Sequence, residues 1–339
     1  EKAFRNLIRC FGVDDELIKL NLYANNITYL LRDNFRTTSI RKKYVDFNDT
    51  DRFGGTVYQY TPISTTSSAM APFISGTIGD GNYEASGSSL TVQSEVIFPK
   101  KFEVASPLYF VTNFVTSSLF GMHSAYTTNG GYTSENEVDT TWASSDVANF
   151  QVHSVRTRRE HEDVSFMLTS SVVGIPTLTT DLFADVYNNQ KWNFAVRLRP
   201  EKYPLVDTVF GTSGSYVLEF CGVNSDLGII RNQFSLTGSV SKTDGDSFLT
   251  SAKRLYVGSH RTNFTGSELH RSDVKISSAR VWLDYLSDEV IKLHANDASS
   301  IGRLHPYRNT GLLQNNLLNT HVPEIETLVL NWDFATVTG

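Results

Sequence analysis

The chain has 339 residues, 30 Lys and Arg against 36 Asp and Glu, and a formal net charge of −6. At 40% hydrophobic and 19% charged it can bury a core, so a disordered tail is excluded. An isoelectric point near 5.8 speaks against nucleic acid as a partner, because that footprint needs a clustered basic excess. No stretch approaches the roughly 20 apolar residues of a membrane span. Two cysteines, Cys10 and Cys221, lie far apart among apolar neighbours and read as reduced core thiols, which removes the disulfide-rich secreted class.

Serine (36) and threonine (34), with 21 Phe and 15 Tyr, give the usage of strands and turns. Residues 1–62 form a first unit with a helix-like apolar opening and a basic cluster. Phe4, Phe11, Arg36, Arg41, Lys42 and Lys43 are its candidate assembly contacts, as an arm that packs on another copy or another protein. Residues 64–89 turn to Ser, Thr, Gly, Ala and Pro, with GDGN at 79–82, which is loop chemistry. The chain opens without Met and stops within a sequence that reads as continuing, so a longer polypeptide is expected.

Strand signals then follow in series. Leu90, Val92, Val96 and Phe98 share parity until Pro99, and Leu108 to Val111 form a short apolar block. Residues 121–150 read as an exposed excursion. Trp192, Phe194, Val196 and Leu198 alternate with Asn193, Ala195, Arg197 and Arg199, which predicts a strand with one face in the core and one in water. Tyr216, Leu218 and Phe220 alternate likewise, and Leu255 and Val257 precede Gly258. The apolar parity set by Val274 and Ile276 reverses at Ala279, Val281 and Leu283, so Ser277-Ser278 is where a β-bulge is predicted. Ser287 as N-cap, Asp288 and Glu289 in the first turn, and a Leu286–Ile291 staple predict a helix over 287–296, plugging one end of the fold. Residues 312–339 form an extension whose strand-like run at 327–334 either closes the same sheet or begins another domain. The whole reads as an antiparallel β-sandwich of jelly-roll type over 63–311.

No common catalytic motif is present: there is no HExxH, no phosphate loop, and 211–215 misses the nucleophile elbow. The eight histidines show no zinc-type spacing and read as scattered core or surface residues. Glu135, Glu137 and Asp139 alternate, as a carboxylate pair about 5 to 9.5 Å apart on a glycosidase strand would, but their loop setting favours a solvated acidic turn. Tyr126, Tyr132 and Trp142 are the candidate sugar-stacking residues of that excursion. Asp244 and Asp246 are the candidate Ca²⁺ ligands of a DGD segment that reads as a turn, with too few oxygens to complete a site; no other cofactor is expected.

The segment 183–197 (FADVYNNQKWNFAVR) resembles the strand that carries a Trp before an alternating run in laminin G-like, concanavalin A-like domains. Residues 253–266 (KRLYVGSHRTNFTG) and 272–282 (SDVKISSARVW) extend that resemblance. With 11–18 (FGVDDELI) and 328–334 (LVLNWDF), the set is similar to large virion structural proteins of marine tailed bacteriophages. The resemblance implies a non-enzymatic role in assembly and display on a virion surface, with other virion proteins or further copies as partners. A carbohydrate-binding adhesin that recognises a host-surface glycan is the alternative reading, and a glycosidase the remote one.

Overall fold

A computed structural model describes residues 43–59, 73–74, 88–100, 114–123, 150–159, 161–172, 174–202, 214–226, 229–251, 253–261, 266–296 and 327–334. Among them every strand pairing is antiparallel, which leaves no βαβ crossover.

One sheet holds β1 (Val45–Asp46), β14 (Lys275–Trp282), β3 (Leu90–Phe98), β8 (Gln190–Pro200), β9 (Tyr216–Asp226) and β10 (Ile229–Val240) in that order, with β15 (Leu328–Trp332) also paired to β14. The other holds β2 (Thr56–Tyr58), β11 (Arg254–Gly258), β4 (Thr116–His123), β5 (Phe150–Arg156), β6 (Val164–Thr169) and β7 (Leu178–Thr179). A small hairpin, β12 (His260–Arg261) with β13 (Glu268–His270), stands apart. The two sheets face each other as an antiparallel β-sandwich of jelly-roll type. The stretch at 43–59, which composition groups with the N-terminal unit, supplies one edge strand to each sheet. The run near 330 joins the first sheet through β15 rather than starting another.

Alternation explains the core. Val92, Val96 and Phe98 on β3, Trp192 and Phe194 on β8, and Phe220 on β9 meet Phe120, Phe150, Val152, Phe166 and Leu168 from the opposite sheet in one buried cluster. The Phe166 ring lies 4.8 Å from both Trp192 and Phe194. Each large aromatic side chain removed from water here contributes about 2–3 kcal/mol. The bulge predicted at Ser277 is present, because the β14–β3 register slips between Ile276 and Ser278.

Two expectations need correction. β8 is not wet on its second face: Asn193, Ala195 and Arg197 are buried there. The cover is helix α2 (Asp288–Asn296), which packs on β8 and β9 along the outside of the sheet instead of plugging an end. Arg197 holds it, with Nη1 donating to the Leu286 carbonyl at 2.7 Å and Nη2 to Asp288 at 2.6 Å, while Glu219 pairs with the same guanidinium at 2.8 Å. Sequence alternation cannot reveal this, since polar side chains facing a helix look like polar side chains facing water. Leu286 and Ile291 share the apolar cluster beneath α2 as the staple requires, but the Ser287 hydroxyl makes no hydrogen bond among the described residues. The helix start rests instead on the Ser287 carbonyl, which accepts from the Ile291 N–H, and on the Asp288 pair with Arg197.

The second correction concerns Asp244-Gly245-Asp246, which lies inside helix α1 (Lys242–Thr250) and is not a turn. Gly245 interrupts the helical composition because a Cβ there would meet the Tyr216 ring. Close packing of helix on strand, not turn geometry, selects the glycine.

Candidate functional site

The opposite face of β4, β5 and β11, turned away from the core, gathers the chain's chemistry. On β5, Phe150 and Val152 enter the core, so Gln151 and His153 point outward; on β11, Leu255 and Val257 enter, so Arg254 and Tyr256 point outward. On β4 the same logic turns Gly121 and His123 outward. The register sets Tyr256 beside Gly121 and Gly121 beside Gln151, with Arg254 beside His123 and Ser118 beside His153.

The β12–β13 hairpin brings two more imidazoles onto this face. His260 stacks on Tyr256 (centroids 5.6 Å, planes 16° apart) and on His270 (6.1 Å, 21°). His123 stands 6.4 Å from His260, and His153 stands 5.0 Å from His270. Four histidines and a tyrosine thus form one continuous ring array. Its back members are buried, with His123, His153 and His260 at 3–4% exposure and Tyr256 at 1%, whereas His270 is exposed. The hairpin is anchored through its backbone: Ser259 Oγ donates to the His270 carbonyl at 2.9 Å, Arg261 Nη1 to the Gly54 carbonyl at 2.7 Å, and the Ser118 N–H to the Arg271 carbonyl at 2.9 Å.

Burial sets the protonation states. It pushes His153 down to about 3, helped by neighbouring His270, and His260 down to about 2, helped by His153 and His270. Burial lowers His270 as well. At pH 7 these imidazoles are neutral, each with one N–H donor and one acceptor nitrogen. Burial raises the Tyr256 phenol, with neighbouring Ser118 pulling the other way, so it stays protonated. Gln151 is fixed by Thr169 Oγ1, which donates to its Oε1 at 2.9 Å. His270 presents the exposed ring of the array, held from behind by the buried ones and flanked by polar groups, an arrangement that suits a polyhydroxylated ligand whose C–H faces stack and whose hydroxyls hydrogen-bond.

Gly121 makes the array fit. A Cβ at this position would lie 2.8 Å from both Cε1 and the hydroxyl of Tyr256, and would press on the Phe150 carbonyl. Replacing Gly121 by Ala is therefore expected to cost about 1–3 kcal/mol and to move the Tyr256 ring. Urea unfolding and the near-ultraviolet circular dichroism of the tyrosine would register both; an unchanged midpoint would show that the ring does not lie across the glycine.

Tyr126, Tyr132 and Trp142, the acidic alternation at 135–139, and Phe4, Phe11, Arg36, Arg41 and Lys42 lie outside the described residues. Lys43 is exposed at the start of the first described stretch. Asp244 and Asp246 do not form an oxygen cage. Asp244 accepts from Ser241 Oγ at 2.6 Å, and Asp246 from the Tyr216 hydroxyl and Lys242 Nζ, each at 2.5 Å. Both carboxylates are committed to holding α1. Among the described residues no group of three or more His, Cys, Asp or Glu is disposed to hold a metal ion. No helix among them is long and apolar enough to cross a membrane. Cys221 is a free, buried thiol, and burial pushes it up to about 11.

The histidines of the array come from four elements between positions 123 and 270, so no spacing motif announces them. A usable signal is present all the same: Gln151 and His153 alternate with core residues on one strand, as Tyr256 does between Leu255 and Val257.

No protein-family model matches this chain, and no curated protein matches it by sequence. Among solved structures it is similar to a native heptameric SAP-like pentraxin from Limulus polyphemus, at 10% identity and a TM-score of 0.32, over 62% of this chain and 70% of that one. It is also similar to domains LG4-5 of the mouse laminin alpha1 chain, at 10% identity and 0.26, over 77% of this chain and 48% of that one. A third is an alginate lyase variant in complex with an alginate trisaccharide, at 10% identity and 0.27, over 69% and 96%. All three scores lie below 0.5, and the fold assignment rests on the strand pairing described above.

Proposed function

We propose that this chain is a lectin-like β-sandwich module that binds a glycan on the outward face of its six-stranded sheet, with His270 at the entrance. The observation that carries this reading is the ring array itself. Burying three imidazoles and a phenol outside the apolar core takes polar groups out of water and lowers the basicity of His153 and His260, a pattern that marks sites kept for binding or chemistry. Glycoside hydrolysis would need two carboxylates across the sugar, and Glu268, the acid beside the array among the described residues, is engaged by Arg261 and Arg271.

Screening the chain against a glycan array, alone and as His270→Ala, tests the proposal. Binding to a restricted set of glycans is expected, weakened about tenfold in the variant, as for loss of one contact worth about 1.4 kcal/mol. Failure to bind any glycan overturns it.

The setting that belongs with this proposal is the surface of a phage particle, where the part of the 1–62 unit that precedes β1 would engage neighbouring copies or other virion proteins and the sandwich would meet host glycans. What supports that setting is the resemblance of the phrases at 11–18, 253–266 and 328–334 to virion structural proteins. Antibody labelling of particles by electron microscopy tests it, and an unlabelled surface would count against it.

A further inference from the structure

We infer that the glycan is acidic, a carboxylated or sulfated polysaccharide whose anionic group seats at His270 between Arg261 and Arg271. This rests on the proposed glycan-binding reading and specifies its ligand.

The local charge is opposite to that of the whole chain. Overall the formal charge is −6, yet among the described residues this face carries Arg254, Arg261 and Arg271 against Glu268, with four imidazoles alongside. His270 faces His153 from β5 and His260 from β12. Glu268 lies two residues before it on β13, Arg261 across the hairpin, Arg271 immediately after it, and His123 and Tyr256 one ring further on.

In the free chain the Glu268 carboxylate stands where an incoming anion would. It bridges Arg261 at 3.5 Å and Arg271 at 3.0 Å, with the Glu268 side chain 35% exposed and that of Arg271 57% exposed. Half-exposed bridges of this kind are weak, so a carboxylate or sulfate from solvent exchanges with Glu268 at little cost. The guanidinium of Arg261 is already positioned, since its Nε donates to the Gly266 carbonyl at 2.8 Å and its Nη1 to the Gly54 carbonyl.

An anion at this position also changes what the array can hold. Burial keeps His153 and His260 neutral, because a charge there loses its water without compensation from the solvent. An anion within about 4–6 Å supplies that compensation and favours the protonated form. His270 reaches solvent, so it gains the proton first, and binding becomes coupled to proton uptake.

The test is isothermal titration calorimetry of the whole chain with polygalacturonate, with a heparin fragment and with neutral dextran. It is run at pH 7.5 and pH 5.5 in two buffers of different ionisation enthalpy. Binding of an acidic polymer and not of dextran is expected, about tenfold tighter at pH 5.5, with a buffer-dependent heat that reports proton uptake. His270→Gln, which keeps hydrogen bonding but cannot charge, should lose the pH dependence and the uptake. Arg231→Gln, on β10 of the opposite sheet and exposed, should change neither and so controls for general polyanion attraction. Equal binding of dextran, proton uptake that persists in His270→Gln, or an equal loss on Arg231→Gln overturns the acidic-ligand inference and leaves glycan binding standing. Absence of binding to all three polymers overturns both.

Discussion

Replacing Asp273 by Ala is expected to destabilise the sandwich by about 3–5 kcal/mol, because it leaves a guanidinium buried without its partner. Arg156 ends β5 with its side chain fully enclosed, and its Nη1 meets Asp273 Oδ2 at 3.0 Å. Tyr187 donates to the other oxygen of Asp273 at 2.6 Å, shares a 3.1 Å hydrogen bond with Ser154, and lies beneath the guanidinium with the carbon centre 4.3 Å from its ring centroid. The Asp273 N–H donates to Ser117 Oγ at 3.1 Å, so one carboxylate residue ties β4, β5 and the approach to β14 together. The remaining Arg156 nitrogens, Nε and Nη2, have no hydrogen-bond partner among the described residues. The attraction of Asp273 is therefore what offsets the desolvation of the charge. Guanidinium unfolding should show the loss, and adding Arg156→Met in the same chain should recover a large part of it, since an apolar side chain of similar length no longer needs the carboxylate. A double variant as unstable as the single one would place the cost in lost packing instead of the stranded charge.

That network shows what kinds of structure local pattern reveals. The alternation over 90–98, 192–198 and 255–257 and the bulge at Ser277 follow from which side chains face an apolar interior, a property each strand carries on its own. Helix α1 was hidden because its glycine answers to Tyr216, 29 residues earlier, and not to its immediate neighbours. The buried outer face of β8 was hidden because α2 comes from nearly a hundred residues later. The ring array is the same case in stronger form: His123, His153, His260 and His270 meet only after the antiparallel register sets β4 between β5 and β11 and folds the hairpin over them. Each histidine, taken singly, carries no sign of the others. Tyr126, Tyr132 and Trp142 stood out by composition, while the array draws on residues whose neighbours in sequence are ordinary core strand.

The same register gives the array a pH dependence whose sign is fixed by burial. His153 and His260 have folded values near 3 and 2, below the 6.5 of a solvated imidazole. Between those values and 6.5 the unfolded chain binds more protons than the folded one. The contribution of the pair to stability is thus fully present above pH 6.5 and is lost as pH falls through the window toward 3 and 2. Each imidazole costs up to about 1.4 kcal/mol per pH unit there. Water entry and relaxation around the first charge reduce that, so a loss on the order of 3 kcal/mol is expected by pH 4.5. Urea midpoints from pH 7.5 to 4.5 would trace it. Carboxylates elsewhere titrate in the same range, so the deciding comparison is with the His153→Gln, His260→Gln double variant, which cannot charge at these positions. Its stability should start lower at pH 7.5 and fall less steeply with acid, the two profiles converging. Profiles that stay parallel down to pH 4.5 would mean that the imidazoles take up protons in place, and that the array is open to water in the folded chain.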